Sequence, residues 1–329
     1  MHLYLSISQP RWTNPGLLPV SAEAAWQQAW HWLCLRRRHH PANADIWHLR
    51  FHWPRLGPLL WQQLQAGTYR LQPMQRLGQY AVWSAPDALV LKWVVLMAGP
   101  QLPWHPRCEH GAGMGVVASR RRLADAIATG PPRFVMRTDI RGYYQHIGRA
   151  DVEREVLSQL HCPLLRDLIG QYLAYSVEAG GEFHTPERGI PRGCALSPLI
   201  GASLLYRLDA ALGEGQCDYY ARYMDDFIIL ARQRWPLRRA IARLRASLAA
   251  MGFELHPDKT RIGRLARGVD WLGGWFNQQG RVGIAPRALQ QYRTRSLRLY
   301  EQTWRSTRNI AECEGRVRLY RERWQRSFR

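Results

Sequence analysis

Residues 219–230, which read YYARYMDDFIIL, decide the fold class of this chain. Two apolar runs flank the adjacent carboxylates Asp225 and Asp226, and this pattern predicts a β-hairpin with a polar tip. Adjacent carboxylates repel each other unless cations neutralise them, and oxygen ligands of this kind suit Mg²⁺. Taken alone, an Asp-Asp pair at a hairpin tip is more often a solvated turn than a metal site.

A third carboxylate, upstream of the hairpin, changes that balance. Asp139 ends the run FVMRTD at residues 134–139, whose apolar residues predict a second strand. Three carboxylates on two adjacent strands can hold two metal ions roughly 3.5–4 Å apart, the arrangement used for phosphoryl or nucleotidyl transfer. The spacing therefore predicts a two-metal site.

Helical and extended patterns alternate along the rest of the chain. Ser21 is the predicted N-cap of a helix over residues 21–38, and Pro86 opens another helix that ends near Gly99. Further helices are predicted over residues 55–66, 118–129, 151–160, 236–250, 286–304 and 309–328, with a strand pair over 268–276. These elements predict an α+β fold with a mainly antiparallel sheet and a helical carboxy-terminal appendage.

The charge balance points to a polyanionic partner. The chain carries 46 Lys and Arg against 25 Asp and Glu, a net charge of +21, and all basic residues except Lys92 and Lys259 are arginines. Guanidinium groups bind phosphates and stack on bases, so nucleic acid is the first partner to consider, although genomic composition explains an arginine bias equally well. A membrane partner is not expected, because no apolar run approaches the roughly 18–20 residues that a span needs.

Cysteine usage and the first residues bear on the compartment. The six cysteines form no C-x-x-C pair, so neither a zinc site nor a disulfide framework is predicted. The opening residues, MHLYLSISQPRW, lack the basic and apolar regions of a secretory signal. Free thiols suit a reducing compartment, which predicts a cytoplasmic location.

The ordered set of motifs resembles prokaryotic reverse transcriptases of the group II intron, retron and diversity-generating retroelement kind. Residues 223–226 match Y-x-D-D, and residues 189–198 (GIPRGCALSP) are similar to the family's G-I-P-Q-G-x-x-x-S-P block. The other matching segments are residues 59–73, 84–90 and 113–124 before the palm, 139–144 for the first palm motif, 256–260 for the motif ending in Lys-Thr, and 271–275 for the primer grip. The resemblance covers nearly the whole chain.

The resemblance implies an α+β right-hand polymerase with fingers, palm and thumb. Residues 1–133 would form an amino-terminal extension and fingers, 134–284 the palm with a fingers portion around 151–190, and 285–329 a minimal helical thumb. The length leaves no room for an RNase H, endonuclease or integrase region, so a bare polymerase is expected.

The resemblance also implies catalytic roles. Asp139 and Asp225 would ligate two Mg²⁺ ions, for which Mn²⁺ can substitute, while Asp226 would shape the site or ligate in part. The main-chain oxygen of Ile140 would complete one metal shell. Lys259 would act as general acid and protonate the leaving pyrophosphate.

Substrate contacts follow from the same resemblance. Tyr144 stands where the family places a steric gate against the ribose 2′-OH, which favours dNTP over rNTP; ordinary palm packing is the alternative for this side chain. The predicted nucleotide-binding residues are Tyr144, Arg76, Arg120, Arg141, Arg192 and Gly193. The predicted primer and template contacts are Tyr223, Met224, Trp271, Leu272, Gly273, Arg293 and Arg298.

Two departures from the family pattern concern the nucleotide. Arg192 replaces the usual Gln, so nucleotide affinity or fidelity is expected to be unusual. Between Tyr69 and Pro86 the usual Lys/Arg pair that grips the triphosphate is not evident. The retron and diversity-generating signatures are not evident either, so neither subfamily is assigned.

The expected function is an RNA-directed DNA polymerase that works on a dedicated, structured noncoding RNA. Its expected partners are that RNA and the DNA product, with room for an accessory protein, in a retroelement or in antiphage defence. One alternative is a template-independent or protein-primed DNA synthase on the same fold. A second alternative is an RNA-binding assembly factor with a vestigial site, and an RNA-dependent RNA polymerase is disfavoured by Tyr144.

Overall fold

The computed structural model describes residues 17, 19–77, 80–111, 115–130, 132–215 and 217–328. Gly113 and Met114, at the start of one predicted fingers motif, and the opening residues discussed for a secretory signal lie outside these ranges. The chain divides into two compact units. Unit 1 comprises residues up to Pro106 together with Gly142–Arg207, and unit 2 comprises Arg107–Arg141 together with Leu208–Arg329.

Helices and strands alternate along the chain. The helices are α1 (Ala22–Arg36), α2 (Asp45–Phe51), α3 (Trp53–Gln65), α4 (Ala85–Ala98), α5 (Val116–Thr129), α6 (Tyr143–His146), α7 (Arg149–Glu155), α8 (Pro163–Leu173), α9 (Leu196–Leu204), α10 (Tyr206–Gly213), α11 (Arg234–Ala250), α12 (Pro286–Thr307) and α13 (Ile310–Arg326). The strands are β1 (Met74–Leu77), β2 (Tyr80–Val82), β3 (Phe134–Asp139), β4 (Val177–Ala179), β5 (Glu182–His184), β6 (Tyr219–Tyr223), β7 (Asp226–Ala231), β8 (Arg261–Arg264), β9 (Val269–Trp271), β10 (Gly274–Asn277) and β11 (Gly280–Ile284).

Unit 1 combines most of the helices with a small sheet of order β2-β1-β4-β5. Two of its helices, α1 and α4, begin directly after a serine whose side chain caps the first turn. The Ser21 hydroxyl accepts a hydrogen bond from Ala24 N–H at 3.1 Å, and Ser84 caps α4 in the same way through Asp87 N–H. The predicted starts of α1 and α4 are therefore confirmed to within one residue.

Unit 2 contains two antiparallel sheets. The first, which we call the carboxylate sheet, has the strand order β6-β7-β3-β8, and the second has the order β11-β10-β9. One buried cluster joins α5 to both sheets and includes Leu123, Val135, Ile228, Trp271 and Phe276. The predicted α+β class with mainly antiparallel sheets is confirmed.

Two sequence expectations need correction in detail. The hairpin tip is Met224–Asp225 rather than Asp225–Asp226, because Asp226 already pairs as the first residue of β7. The helix predicted over 151–160 ends at Glu155 and continues as a short 3-10 turn. Strands β1, β2, β4, β5, β8 and β11 were not predicted, since short strands with few apolar residues carry no clear alternation.

Within the described part of the chain, every helix is too short or too polar to cross a membrane.

Candidate active site

Strand pairing places two of the three predicted carboxylates side by side. Asp139, the last residue of β3, lies directly opposite Asp226, and Asp226 also pairs with Tyr223 at the end of β6. Met224 and Asp225 form the two-residue turn between β6 and β7, and Met224 adopts a left-handed φ of 56°. Positive φ angles are typical of such tight turns, which match the twist of the flanking strands.

Backbone hydrogen bonds fix the same turn against the end of β3. The Ile140 N–H donates to the Asp225 carbonyl at 3.1 Å, and the Asp139 carbonyl accepts from the His256 N–H at 2.8 Å. Asp139 and Ile140 are both buried. Backbone hydrogen bonds or strand pairing therefore fix the main chain at all three aspartates.

Two cations of the chain balance this negative charge. Like charges directly opposite each other on neighbouring strands are destabilising. Lys259 Nζ lies 2.6 Å from Asp139 Oδ2, and Arg137 Nη2 lies 2.6 Å from Asp226 Oδ1. Arg137 precedes Asp139 by two positions, so both side chains lie on the same face of β3.

The carboxylate oxygens are chemically suited to bind a divalent metal ion. Asp139 Oδ1 is buried and has no hydrogen-bond partner among the described residues, so it is available to a cation. Oxygen ligands of this type suit Mg²⁺. In this conformation the described side chains form no group of three or more His, Cys, Asp or Glu that could hold a metal, while Lys259 and Arg137 each hold one carboxylate. The two-metal site therefore stays a prediction.

We expect the contribution of Asp226 to the stability of the metal-free protein to fall as the pH rises from about 4 to about 6. Burial raises the pKa of this carboxyl to about 6, and Asp225 and Asp139 add to the rise while Arg137 opposes it. A raised pKa means that the folded state holds the proton more tightly than the unfolded chain, so deprotonation costs stability in this window. Urea unfolding at several pH values should show Asp226→Asn gaining stability relative to wild type between these limits.

The matched control is Asp258→Asn, which changes an exposed carboxylate close to the site. It should keep the wild-type pH dependence. Parallel stability curves for wild type and Asp226→Asn across this range would contradict the assignment.

A buried ion pair supports the turn that carries Asp225. The Arg222 guanidinium, fully buried, donates to Asp209 Oδ1 at 2.8 Å and to the Met224 carbonyl at 2.9 Å. The Met224 N–H donates to His110 Nδ1 at 3.0 Å, and the Tyr220 hydroxyl donates to Asp209 at 2.6 Å. Both backbone groups of the left-handed Met224 are thus held by side chains from outside the turn.

The predicted primer-grip segment is a second tight turn in unit 2. Leu272 and Gly273 join β9 to β10 with φ angles of 50° and 83°. The neighbouring Trp271 is fully buried, and its Nε1 donates to Ser119 Oγ at 3.0 Å. The Ser119 hydroxyl donates in turn to the buried carboxyl of Glu109. This chain of hydrogen bonds fixes the segment to α5.

The Arg120 side chain is buried against this second turn and does not lie on an open surface. Its guanidinium donates to the Leu272 carbonyl at 2.6 and 3.0 Å and to the Ser327 carbonyl at 2.7 Å, and it lies over the Phe328 ring. Burial lowers the pKa of Arg120 to about 10. These contacts favour a structural role over the nucleotide contact that the sequence suggested.

The other predicted contacts in unit 2 lie at its surface. Arg141 is exposed just after β3, and Arg293 and Arg298 are exposed on α12. Beside Arg293, the Tyr292 ring stacks on Trp324 at 4.3 Å between α12 and α13. Arginines on α12 therefore remain available to phosphates.

In unit 1, the predicted steric gate, Tyr144, packs beside Tyr143 and Gly201. The Tyr144 ring lies 5.3 Å from Tyr143, and a Cβ added to Gly201 would lie 3.5 Å from Tyr144 Cε1. Gly189, with a φ of 90°, approaches so closely that a Cβ there would lie 2.9 Å from the Tyr144 carbonyl. The Ile190 N–H donates to that carbonyl at 2.8 Å. The GIPRG segment therefore packs against the backbone of Tyr144 and is hydrogen-bonded to it.

The remaining predicted nucleotide contacts of unit 1 are exposed. Gly193 has a φ of 78°, and Arg192 beside it is exposed at the turn before α9. Arg76 is exposed on β1, opposite Ala81 of β2.

Sequence reasoning missed several residues that hold the site together. The role of Arg137 could have been predicted from sequence, because residues two positions apart in a strand lie on the same face and Arg137 precedes Asp139 by two. Arg222 pairs with Asp209 across the connection between α10 and β6, and the buried Ser119 contacts Trp271, 152 residues further along the chain; no local pattern predicts these contacts.

Comparison with known proteins gives one family match and several distant likenesses. A family described as "Reverse transcriptase (RNA-dependent DNA polymerase)" matches residues 103–276, just over half of the chain. The retron Mx162 reverse transcriptase of Myxococcus xanthus is 29% identical over 220 residues, which cover 60% of this chain and 44% of that protein. The chain thus spans less than half the length of this curated relative.

Among solved structures, the RNA-dependent RNA polymerase of a human picobirnavirus has a TM-score of 0.47 and 15% identity, over 65% of this chain and 43% of that one. Telomerase from Candida albicans, in complex with a fragment of telomeric RNA, has a TM-score of 0.43 and 12% identity, over 67% of this chain and 43% of the telomerase chain.

Proposed function

Because this chain belongs to the reverse transcriptase family, we propose that it is an RNA-directed DNA polymerase that extends a DNA strand with dNTPs. The observation that carries the proposal is the cross-strand pair of Asp139 and Asp226 beside the turn residue Asp225, with a buried carboxylate oxygen left without a partner. A protein that only binds RNA has no need for such a costly group. This favours an enzyme over an assembly factor with a vestigial site.

The residues suit the chemistry of nucleotidyl transfer. Asp139 and Asp225 would hold two Mg²⁺ ions, which supply charge neutralisation on the phosphates when bound. Lys259, whose Nζ lies 2.6 Å from Asp139 Oδ2, would protonate the leaving pyrophosphate. Arg137 would keep Asp226 in its strand position. Asp139 would bind the metal through Oδ1, which has no partner among the described residues, while Lys259 holds Oδ2.

We propose a structured noncoding RNA as template, in a retroelement or in antiphage defence. The similarity to a retron reverse transcriptase and the net charge of +21 both support an RNA partner. The six cysteines, all within the described ranges, form no disulfide, which suits work in the cytoplasm.

Replacing Tyr144 by Ala should admit rNTPs. The aromatic ring would collide with a ribose 2′-OH, so removing it opens space beside Gly201 without changing the carboxylates. Single-nucleotide incorporation should show the dNTP over rNTP preference falling by about tenfold or more, the effect of losing at least 1.4 kcal/mol of discrimination. Tyr144→Phe is the control, because it keeps the ring and should keep the preference.

The proposal is tested by primer extension with Mg²⁺ and dNTPs on a primed RNA, followed by sequencing of the product. A product complementary to the RNA supports the proposal. A product of similar length and random sequence in the absence of RNA would favour a template-independent synthase. Tight RNA binding with no incorporation on primed or unprimed RNA would favour the assembly factor.

A further inference from the structure

The outward face of α11 is strongly basic. The inward residues Leu237, Leu244 and Leu248 are buried, and α11 packs on strands β3 and β7 of the carboxylate sheet. The helix has no acidic residue, and its five arginines are all exposed: Arg234, Arg238, Arg239, Arg243 and Arg245.

This arrangement costs helix stability. Arg234 and Arg238 are four residues apart, as are Arg239 and Arg243, and like charges at this spacing repel. Arg234 also stands at the first helical position, where the helix dipole disfavours a cation. No acidic side chain among the described residues forms an ion pair with any arginine of α11, whereas α13 balances Arg316 with a glutamate at 3.3 Å.

An exposed aromatic ring lies within this basic face. Trp235 is 69% exposed, and the Arg238 guanidinium lies 5.2 Å from its ring centroid. Exposed rings beside arginines are the means by which proteins bind unpaired bases, with the ring stacking on the base and the arginines contacting phosphates.

The basic face lies on the opposite side of the sheet from the carboxylates. The Arg234 guanidinium lies over the Phe134 ring at 5.5 Å. Side chains alternate along a strand, so Phe134 and Asp139 of β3 lie on opposite faces. A ligand on α11 therefore leaves the carboxylate side of the sheet open.

We propose that the outward face of α11, centred on Trp235, Arg238 and Arg245, binds an unpaired segment of RNA while the carboxylate side of the sheet works on a primer. Arg238 and Arg245 lie on one side of the helix, about 10 Å apart along its axis. The choice of RNA over other polyanions rests on the proposed function. A membrane surface fits less well, because the apolar face that would enter a bilayer is buried against the sheet.

The test measures a second RNA on a protein already saturated with primer–template. The full chain is first saturated with a short, chain-terminated primer on RNA, and anisotropy then follows a labelled oligouridine of about 12 nucleotides, within the usual site size of single-strand binders. Wild type should bind this probe without releasing the primer. Arg238→Gln/Arg245→Gln should weaken binding and reduce the salt slope by about 1.4, roughly 0.7 for each lost phosphate contact.

Trp235→Ala should weaken binding by about tenfold and leave the salt slope unchanged, because stacking is not electrostatic. The charge-matched control is Arg166→Gln/Arg207→Gln, which removes two exposed arginines from unit 1 and should bind the probe as wild type does. Both α11 variants should retain primer extension on a short template.

Three results would overturn the proposal: unchanged probe binding in the α11 variants, release of the primer by the probe, or tighter binding of a matched single-stranded DNA. Binding to phosphatidylserine vesicles that the same variants abolish would also overturn it. Wild type that fails to extend a primer contradicts the proposed function instead, and the probe measurement can then be made without primer.

Discussion

The Asp225→Asn variant should lose Mg²⁺-dependent dNTP incorporation by at least about a thousandfold, while its fold and RNA binding remain. Asp225 sits in the turn between β6 and β7 beside the end of β3, and its carboxylate is one of the two that we propose as metal ligands. An amide is a weaker ligand without charge, and a catalytic metal ion contributes several kcal/mol to the transition state, where each 1.36 kcal/mol is tenfold in rate. Single-turnover primer extension measures the loss.

Asp125→Asn is the matched control, since Asp125 is an exposed carboxylate on α5 of the same unit. It should extend primers at the wild-type rate. Residual incorporation by Asp225→Asn within tenfold of wild type, at saturating Mg²⁺, would remove Asp225 from the metal site.

The Arg222→Met variant should lower the free energy of unfolding by about 3–5 kcal/mol, because it leaves the Asp209 carboxylate buried without its cation. Both side chains are fully buried, so water cannot replace the lost contacts. Arg232→Met is the control: Arg232 pairs with Asp218 at 3.0 Å but is 67% exposed, and its loss should cost no more than about 1 kcal/mol. Urea unfolding of the three proteins gives the comparison.

A double variant separates stability from catalysis. Arg222→Met/Asp209→Leu removes both charges and should recover much of the lost stability. It should still extend primers poorly, because the Met224 carbonyl has lost the guanidinium that holds the turn. Wild-type activity in a stable double variant would show that Arg222 does not position the turn.

Much of the fold could be predicted from sequence wherever one element carries its own pattern. The apolar runs around Asp225 predicted β6 and β7, and the prediction of a reverse transcriptase relative is confirmed by the family match. Ser21 marked the start of α1 because an N-cap hydroxyl acts on its own first turn. The family match also confirms the α+β right-hand polymerase fold that the resemblance predicted.

What the sequence could not give depends on contacts between distant segments. The hairpin tip shifted by one residue because pairing with Asp139 draws Asp226 into the strand. Arg120 looked like a nucleotide ligand, yet its partners are carbonyls at Leu272 and Ser327, which no local pattern connects to it. The roles of the individual aspartates stay predictions, with the experiments above as their tests.

The order of strands in the carboxylate sheet also governs when the sheet can form during synthesis. The strand that ends in Asp139 lies between β7 and β8, and its outer neighbour ends only at Arg264. At about 5–20 residues per second, the ribosome needs roughly 6–25 s to make the intervening chain. Pairing with β7 becomes possible once Ala231 is made, but the other edge of the nascent strand stays unpaired for that whole time, and such non-local pairing is intrinsically slow and exposed to aggregation. Nascent chains that end before β8 should therefore depend on chaperones far more than the finished protein does.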